Sequence, residues 1–124
     1  MGCCCAEAVP PSNGRLVGTW ILNQRSLNIN NGYGKYRYKK SKPLRGSYSN
    51  EPLIRLIISK DGTISYTKIT RSEMVLIDGP VSDWSNKTMK SICGASLKYD
   101  DSDVENGRLK VDGYWLSNVK EMKK

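Results

Sequence analysis

Three of the four cysteines of the chain stand side by side as Cys3, Cys4 and Cys5, directly after Gly2. Protein thiols bind zinc, form disulfides or carry acyl chains, and spacing helps to separate these chemistries. Adjacent cysteines cannot converge on one metal as spaced pairs do, and the chain has no histidine to complete a zinc site. Disulfides would require export, but the first residues contain neither the basic start nor the apolar core of a secretory signal. The stretch therefore favours acylation, and we expect no metal site.

The first five residues resemble the start of doubly acylated signalling proteins such as Src-type kinases and G-protein α subunits. The resemblance implies myristate on Gly2 after removal of Met1, and palmitate on the cysteines at positions 3 to 5. The standard motif has Ser or Thr at the sixth position, where this chain has Ala6. One myristoyl chain gives only marginal, reversible membrane binding, with a constant of about 10⁴ M⁻¹, so a second chain or a basic patch is required.

A basic stretch could supply that second contribution, because the chain has a net charge of +8 and no acid between Gly32 and Asn50. Anionic membrane lipids are the partner that we expect for it, with each cation contributing about 1 kcal/mol near the surface. Single-stranded nucleic acid is a rival partner, since Tyr36 and Tyr38 could stack on bases. A solvated loop that only maintains solubility is the third interpretation. The cations predicted to contact an anionic surface are Lys35, Arg37, Lys39, Lys40, Lys42 and Arg45.

Residues for common catalytic chemistry are missing from the sequence. Without histidine the chain cannot form a Ser-His-Asp or Cys-His arrangement, and Cys93 has no identifiable base beside it. The acidic run from Asp100 to Glu105 has the alternation of a calcium loop, but Asn106 stands where an EF-hand needs glycine. We therefore expect no cofactor and no catalytic residues, and an enzyme of an uncommon type stays open as a third class.

The elements that must position these residues are short and strand-like. With 124 residues the chain has room for one domain. We expect a flexible lipid-anchor segment over residues 1–14 and a single antiparallel β-barrel domain over residues 15–124, so the fold class is all-β with at most one short helix. Residues 9–14 are expected to be a stiff, extended spacer.

Turn signals divide the domain into strands. Asp61-Gly62 lies between β-branched and aromatic runs and predicts a two-residue hairpin of type I′. Further turns are predicted at residues 78–80, 106–107 and 112–113. The stretch 82–92 could form one short helix, capped by Ser82 or Asp83.

A second resemblance concerns the first strand. Gly18, Thr19 and Trp20 resemble the Gly-x-Trp motif on the opening strand of the lipocalin and fatty-acid-binding-protein superfamily, which implies a small antiparallel barrel. It also implies that Trp20 packs beneath an arginine from a late strand, for which Arg108 is our candidate. If the barrel carries a small apolar ligand, the residues expected to face its cavity are Trp20, Ile21, Ile57, Ile64, Tyr66 and Trp115.

These observations favour a lipid-anchored, peripheral membrane protein on the cytoplasmic face, acting as a non-enzymatic interaction or matrix-like module. Its expected partners are anionic lipids and a protein at the membrane. A lipocalin-like carrier of a small apolar ligand is the runner-up, and a nucleic-acid-binding protein that uses the basic stretch is the second alternative.

Overall fold

The strands form one antiparallel sheet in the part of the chain that the computed structural model describes, which is residues 8–29, 37–41, 52–91 and 95–122. One short helix, α1, follows the last strand at Val119–Met122, and single 3-10 turns lie at Gly14–Leu16, Gln24–Asn28, Ser85–Lys87 and Val104–Asn106. The strands are β1 Gly18–Ile21, β2 Arg37–Ser41, β3 Leu53–Ile58, β4 Thr63–Ile69, β5 Met74–Asp83, β6 Thr88–Ser91, β7 Ser96–Asp100, β8 Arg108–Val111 and β9 Tyr114–Asn118.

Eight of these strands close into a barrel, which confirms the predicted fold class. The order around the barrel is β5-β4-β3-β1-β9-β8-β7-β6, and β6 pairs again with β5. The long strand β5 makes this closure, since residues up to Pro80 pair with β4 while Val81 and Asp83 pair with β6. Strand β2 lies outside the closed ring and pairs with the first half of β5.

Alternation of side chains along the strands produces the core. In β3, Ile54, Leu56 and Ile58 are buried, whereas the residues between them are partly exposed. This period of two places every second side chain inside the barrel. Trp20 joins the same core, and its indole N–H donates a hydrogen bond of 2.9 Å to the carbonyl of Leu16, just before β1.

The predicted hairpins at residues 61–62 and 112–113 are present, but the type I′ geometry predicted for the first is absent there. At the β3–β4 turn, the Ser59 N–H bonds to the Thr63 carbonyl at 2.9 Å, so the loop has three residues and only Gly62 has positive φ, at 99°. The expected type I′ geometry occurs instead between β8 and β9, where Asp112 and Gly113 have φ of 52° and 89°. Both loops connect antiparallel strands, and a three-residue loop with glycine in the last position serves as well as a two-residue one.

Residues 78–80 do not form the predicted turn, because β5 runs through them. Gly79 has φ of 146°, a backbone conformation open to glycine, at the point where β5 changes partners. Strand β2 pairs with β5 only as far as Asp78, and β6 pairs with it only from Val81. Within the described strands, Pro80 therefore has no partner on this edge of β5. Proline lacks an N–H, and an unpaired edge tolerates that loss.

The predicted helix at 82–92 is also wrong. The end of β5, a 3-10 turn at Ser85–Lys87 and strand β6 occupy most of this stretch. Asn86 and Lys87 have φ of 58° and 53°, which reverse the chain between two paired strands. None of the helices in the described ranges is long and apolar enough to cross a bilayer.

Candidate functional site

The residues predicted to carry acyl chains, Gly2 and Cys3 to Cys5, lie outside the described residues, and so does Cys93. The described chain begins at Ala8 and bonds to the barrel one residue later. The Val9 N–H donates to the Val81 carbonyl at 2.8 Å, and the Trp84 indole N–H donates to the Val9 carbonyl at 2.5 Å. We call these two hydrogen bonds the Val9 clamp. They pair both backbone groups of Val9 with the barrel.

The Trp84 side of the clamp is itself held in place. The rings of Trp84 and Tyr99 meet edge to face, with centroids 6.1 Å apart and planes inclined by 78°. The Tyr99 hydroxyl donates to the Trp84 carbonyl at 3.1 Å. Aromatic pairs prefer this geometry, so the indole that receives Val9 has a defined orientation.

Further along the segment predicted as a spacer, Asn13 makes a second connection. Its side-chain oxygen accepts from the Arg15 N–H at 3.0 Å, and its amide donates to the Asp101 carboxylate at 3.4 Å. Residues 9 and 13 are thus both bonded to the barrel domain or to its first turn.

Three of the six cations of the basic stretch lie in β2, at Arg37, Lys39 and Lys40. The other three, Lys35, Lys42 and Arg45, lie outside the described residues. The register opposes Arg37 to Asp78, Lys39 to Leu76 and Lys40 to Val75. The side chain of Lys40 is exposed, and its ammonium lies 3.8 Å from the Glu73 carboxylate.

Strand β5 therefore connects the two features that the sequence linked to a membrane. Its first half pairs with basic strand β2, and its second half receives Val9 at Val81. Leu76 and Val81 are five residues apart, which corresponds to about 17 Å along a strand. The anchor-proximal segment and the basic strand are consequently both bonded to β5, at different positions along it.

Of the six residues expected to face a cavity, three do lie in the core: Trp20, Ile64 and Tyr66. Ile57 and Trp115 do not face inward, which corrects that expectation. Ile57 alternates with the buried residues of β3, and Trp115 is 36% exposed. Ile21 is fully buried but follows Trp20 directly, so it lies on the other face of β1, where the 3-10 turn at 24–28 packs. Whether the three inward residues line a ligand cavity stays a prediction.

Arg108 does not cover Trp20, contrary to what the lipocalin resemblance implies. Its guanidinium lies over the exposed ring of Trp115, 5.0 Å from the centroid, and 3.8 Å from the Asp103 carboxylate. Lys110 approaches the same ring at 5.8 Å. Because Arg108 and Trp115 both point outward from neighbouring strands, cation–π contact occurs on the outer wall.

A pocket that the sequence did not reveal opens beside the β8–β9 turn. Its volume is about 130 Å³, and we call it the Tyr66 pocket. Tyr66 and Lys68 reach it because they are alternate residues of β4. That period-two spacing was visible in the sequence, but the partners from other strands were not. The lining includes Tyr66, Lys68, Glu73, Val75, Leu97 and Asp112.

Charges at the rim of the Tyr66 pocket alternate in sign. The Lys68 ammonium lies 3.1 Å from the Asp112 carboxylate and 3.8 Å from that of Glu73, which in turn lies 3.8 Å from Lys40. Beneath this rim, the hydroxyl of Tyr66 is buried and has no hydrogen-bond partner among the described residues. Burial raises the pKa of Tyr66 above its ordinary value, and the negative charges of Asp112 and Glu73 add to the shift. The hydroxyl is therefore a protonated donor.

The acidic run is bonded within itself and to cations. The Lys87 ammonium donates to Asp101 at 2.6 Å, and this hydrogen bond lowers the pKa of Asp101. The Ser102 N–H donates to Asp100 at 2.9 Å and lowers the pKa of that carboxyl. Asp103 accepts from the Asn106 amide at 2.7 Å. Among the described residues, these carboxylates do not converge on a common metal position.

Comparisons with known proteins support the fold. No family model matches the chain, and no curated protein sequence matches it significantly. Among solved structures, the chain is similar to the crystal structure of a lipoprotein, YedD, from Klebsiella pneumoniae, with a TM-score of 0.52 and 15% sequence identity. The alignment covers 92% of this chain and 78% of that one. At this identity the likeness concerns the barrel fold.

Proposed function

We propose that this chain is a lipid-anchored peripheral membrane protein, whose barrel acts as a non-enzymatic interaction or matrix-like module on the cytoplasmic face. Acyl chains on Gly2 and on one or more of Cys3 to Cys5 attach it to the bilayer. Anionic lipids that meet the basic stretch strengthen the attachment.

The observation that supports this proposal is that the segment after the predicted anchor and the basic strand are both bonded to β5. The Val9 clamp and the basic strand β2 occupy the two halves of that strand. On opposite sides of the barrel, the lipid anchor and the cations could not both face the bilayer. Because both segments are bonded to β5, one orientation of the barrel would allow both to face it.

Chain length supports the same geometry. Cys5 precedes Val9 by four residues, and an extended chain spans at most about 3.5 Å per residue. An acyl chain on Cys5 is therefore attached within about 14 Å of Val9. This short tether would hold the barrel close to the bilayer with the Val9 clamp nearest to it.

The structural neighbour adds limited support. The Klebsiella protein is described as a lipoprotein, so a barrel of this shape has been found in a protein of that class. The likeness is compatible with a lipid-anchored role here, and the identity of the anchor rests on the sequence of this chain.

Mass spectrometry of the amino-terminal peptide, purified from the native cell, tests the anchor directly. We expect added acyl mass on Gly2 and at least one neighbouring cysteine. Gly2→Ala should move the protein from the membrane to the soluble fraction. Gly14→Ala is the matched control, since an alanine side chain there meets nothing within 4 Å, and it should stay at the membrane. An unmodified peptide, or equal fractionation of the two variants, would refute the proposal.

Charge reversal tests the role of the basic stretch. Changing Lys39, Lys40 and Lys42 to Glu should weaken binding to anionic vesicles, and the loss should be larger at low salt because screening is weaker. The matched control reverses the same number of exposed cations away from β2, at Arg25, Lys98 and Lys120. Equal losses from both sets would show a net-charge effect and would remove the basic stretch from the membrane contact.

A further inference from the structure

The Tyr66 pocket is lined by a tyrosine whose hydroxyl makes no hydrogen bond within residues 8–29, 37–41, 52–91 and 95–122. Tyr66 is 1% exposed. Buried polar groups in proteins are nearly always paired, so an unpaired one calls for a specific explanation. Tyr66 lines this pocket together with Asp112 and Glu73, so its hydroxyl is the candidate donor to a molecule bound there. A ligand with an acceptor atom would complete it.

The charged rim indicates what kind of acceptor fits. Lys68 is only 13% exposed and already neutralises Asp112 and Glu73, while Lys40 also faces Glu73. The four charges of the rim cancel. An anionic ligand would have to compete with Asp112 and Glu73 for Lys68, and both carboxylates would repel it. A neutral acceptor makes no such demand.

The size of the Tyr66 pocket limits the ligand further. At about 130 Å³ it is smaller than the sites of drug-sized molecules, which begin near about 300 Å³. An apolar cavity of about 150 Å³ accommodates benzene, so about six or seven non-hydrogen atoms is the appropriate scale. Val75 and Leu97 supply apolar walls for the body of such a molecule.

We propose that the Tyr66 pocket binds a small, neutral carbonyl compound, whose oxygen accepts a hydrogen bond from the Tyr66 hydroxyl while its apolar body packs against Val75 and Leu97. The inference concerns the barrel alone and does not depend on the lipid anchor.

A pair of isosteric probes tests the proposal. Cyclohexanone and methylenecyclohexane differ in that a carbonyl oxygen replaces a CH₂ group, so only the ketone can accept from Tyr66. Binding to the full-length protein and to each variant is followed by NMR titration of the methyl protons of Val75 and Leu97, which line the pocket in all of them. Tyr66→Phe keeps the ring and removes the hydroxyl. It should weaken cyclohexanone binding by about three- to tenfold, the contribution of one net hydrogen bond, and leave methylenecyclohexane unchanged.

A second variant separates loss of the pocket from loss of the donor. Ala95 also lines the Tyr66 pocket, so Ala95→Leu should fill it and abolish binding of both probes while the hydroxyl is retained. The one-dimensional NMR spectrum checks that each variant is folded. Equal affinity of cyclohexanone for wild type and Tyr66→Phe would overturn the proposal, as would failure of both probes to bind wild type, which would mean that the pocket holds water only.

Discussion

The Val9 clamp can be tested at Gly62, the residue over which the amino-terminal segment crosses the β3–β4 turn. A Cβ atom at Gly62 would lie 2.0 Å from the Val9 carbonyl oxygen and 2.6 Å from its carbon, distances at which the backbone must move. Gly62→Ala should therefore displace Val9 and break both hydrogen bonds of the clamp.

The expected loss has two parts. A residue other than glycine at positive φ costs about 1–2 kcal/mol, and Gly62 has φ of 99°. Two lost hydrogen bonds add about 1–3 kcal/mol, at about 0.5–1.5 kcal/mol each. Gly62→Ala should thus lower the free energy of unfolding by about 2–5 kcal/mol, a large share of the usual stability of about 5–15 kcal/mol.

Gly113→Ala is the control, because Gly113 also has positive φ, at 89°, but a Cβ there meets nothing within 4 Å. It should cost only the backbone part, about 1–2 kcal/mol. Urea unfolding measures both losses, and hydrogen exchange should show the Val9 amide protected in wild type and Gly113→Ala but not in Gly62→Ala. Equal losses from the two substitutions, with Val9 protected in both, would refute the clamp.

The remaining predictions concern the outer surface. Lys87 hydrogen-bonds Asp101 and lowers the pKa of that carboxyl, so the stability from this pair is present above the unfolded-state value of about 3.9 and is lost as pH falls through the lowered pKa. Urea unfolding of wild type and Lys87→Met should differ most above about pH 4 and converge once the pH falls below the lowered pKa, whereas a difference independent of pH would contradict the pairing. Trp115 is exposed while Trp20 and Trp84 are buried, so Trp115→Phe should remove most of the tryptophan fluorescence that iodide quenches. An unchanged quenchable fraction would place Trp115 elsewhere.

Much of the fold could be predicted from the sequence, because its signals are local. Glycines at positions 62, 107 and 113 all have positive φ in turns between strands, as Asp-Gly and Asn-Gly pairs predict. The apolar alternation of "LIRLII" appears as the buried and exposed faces of β3. Each of these depends on residues within a few positions of one another, so one segment contains the whole signal.

The same alternation does not say which face of a strand is the inner one. Trp115 and Leu116 are both large and apolar, and only closure of the barrel places Leu116 in the core and leaves Trp115 outside. Gly79-Pro80 is locally typical of a turn, but pairing with β4 up to Pro80 and with β6 from Val81 keeps β5 extended.

The sequence by itself determined an all-β chain with an acylation-like start and a basic stretch. Only the tertiary structure brought the segment after that start and the basic strand to the same strand, β5, and it joined Val9 to Trp84 across 75 residues. Within the described part of the chain, it likewise left the Tyr66 hydroxyl without a partner in a pocket whose charged residues come from four segments. Contacts at such separations depend on how the sheet twists and closes, and no local pattern of residues contains that information.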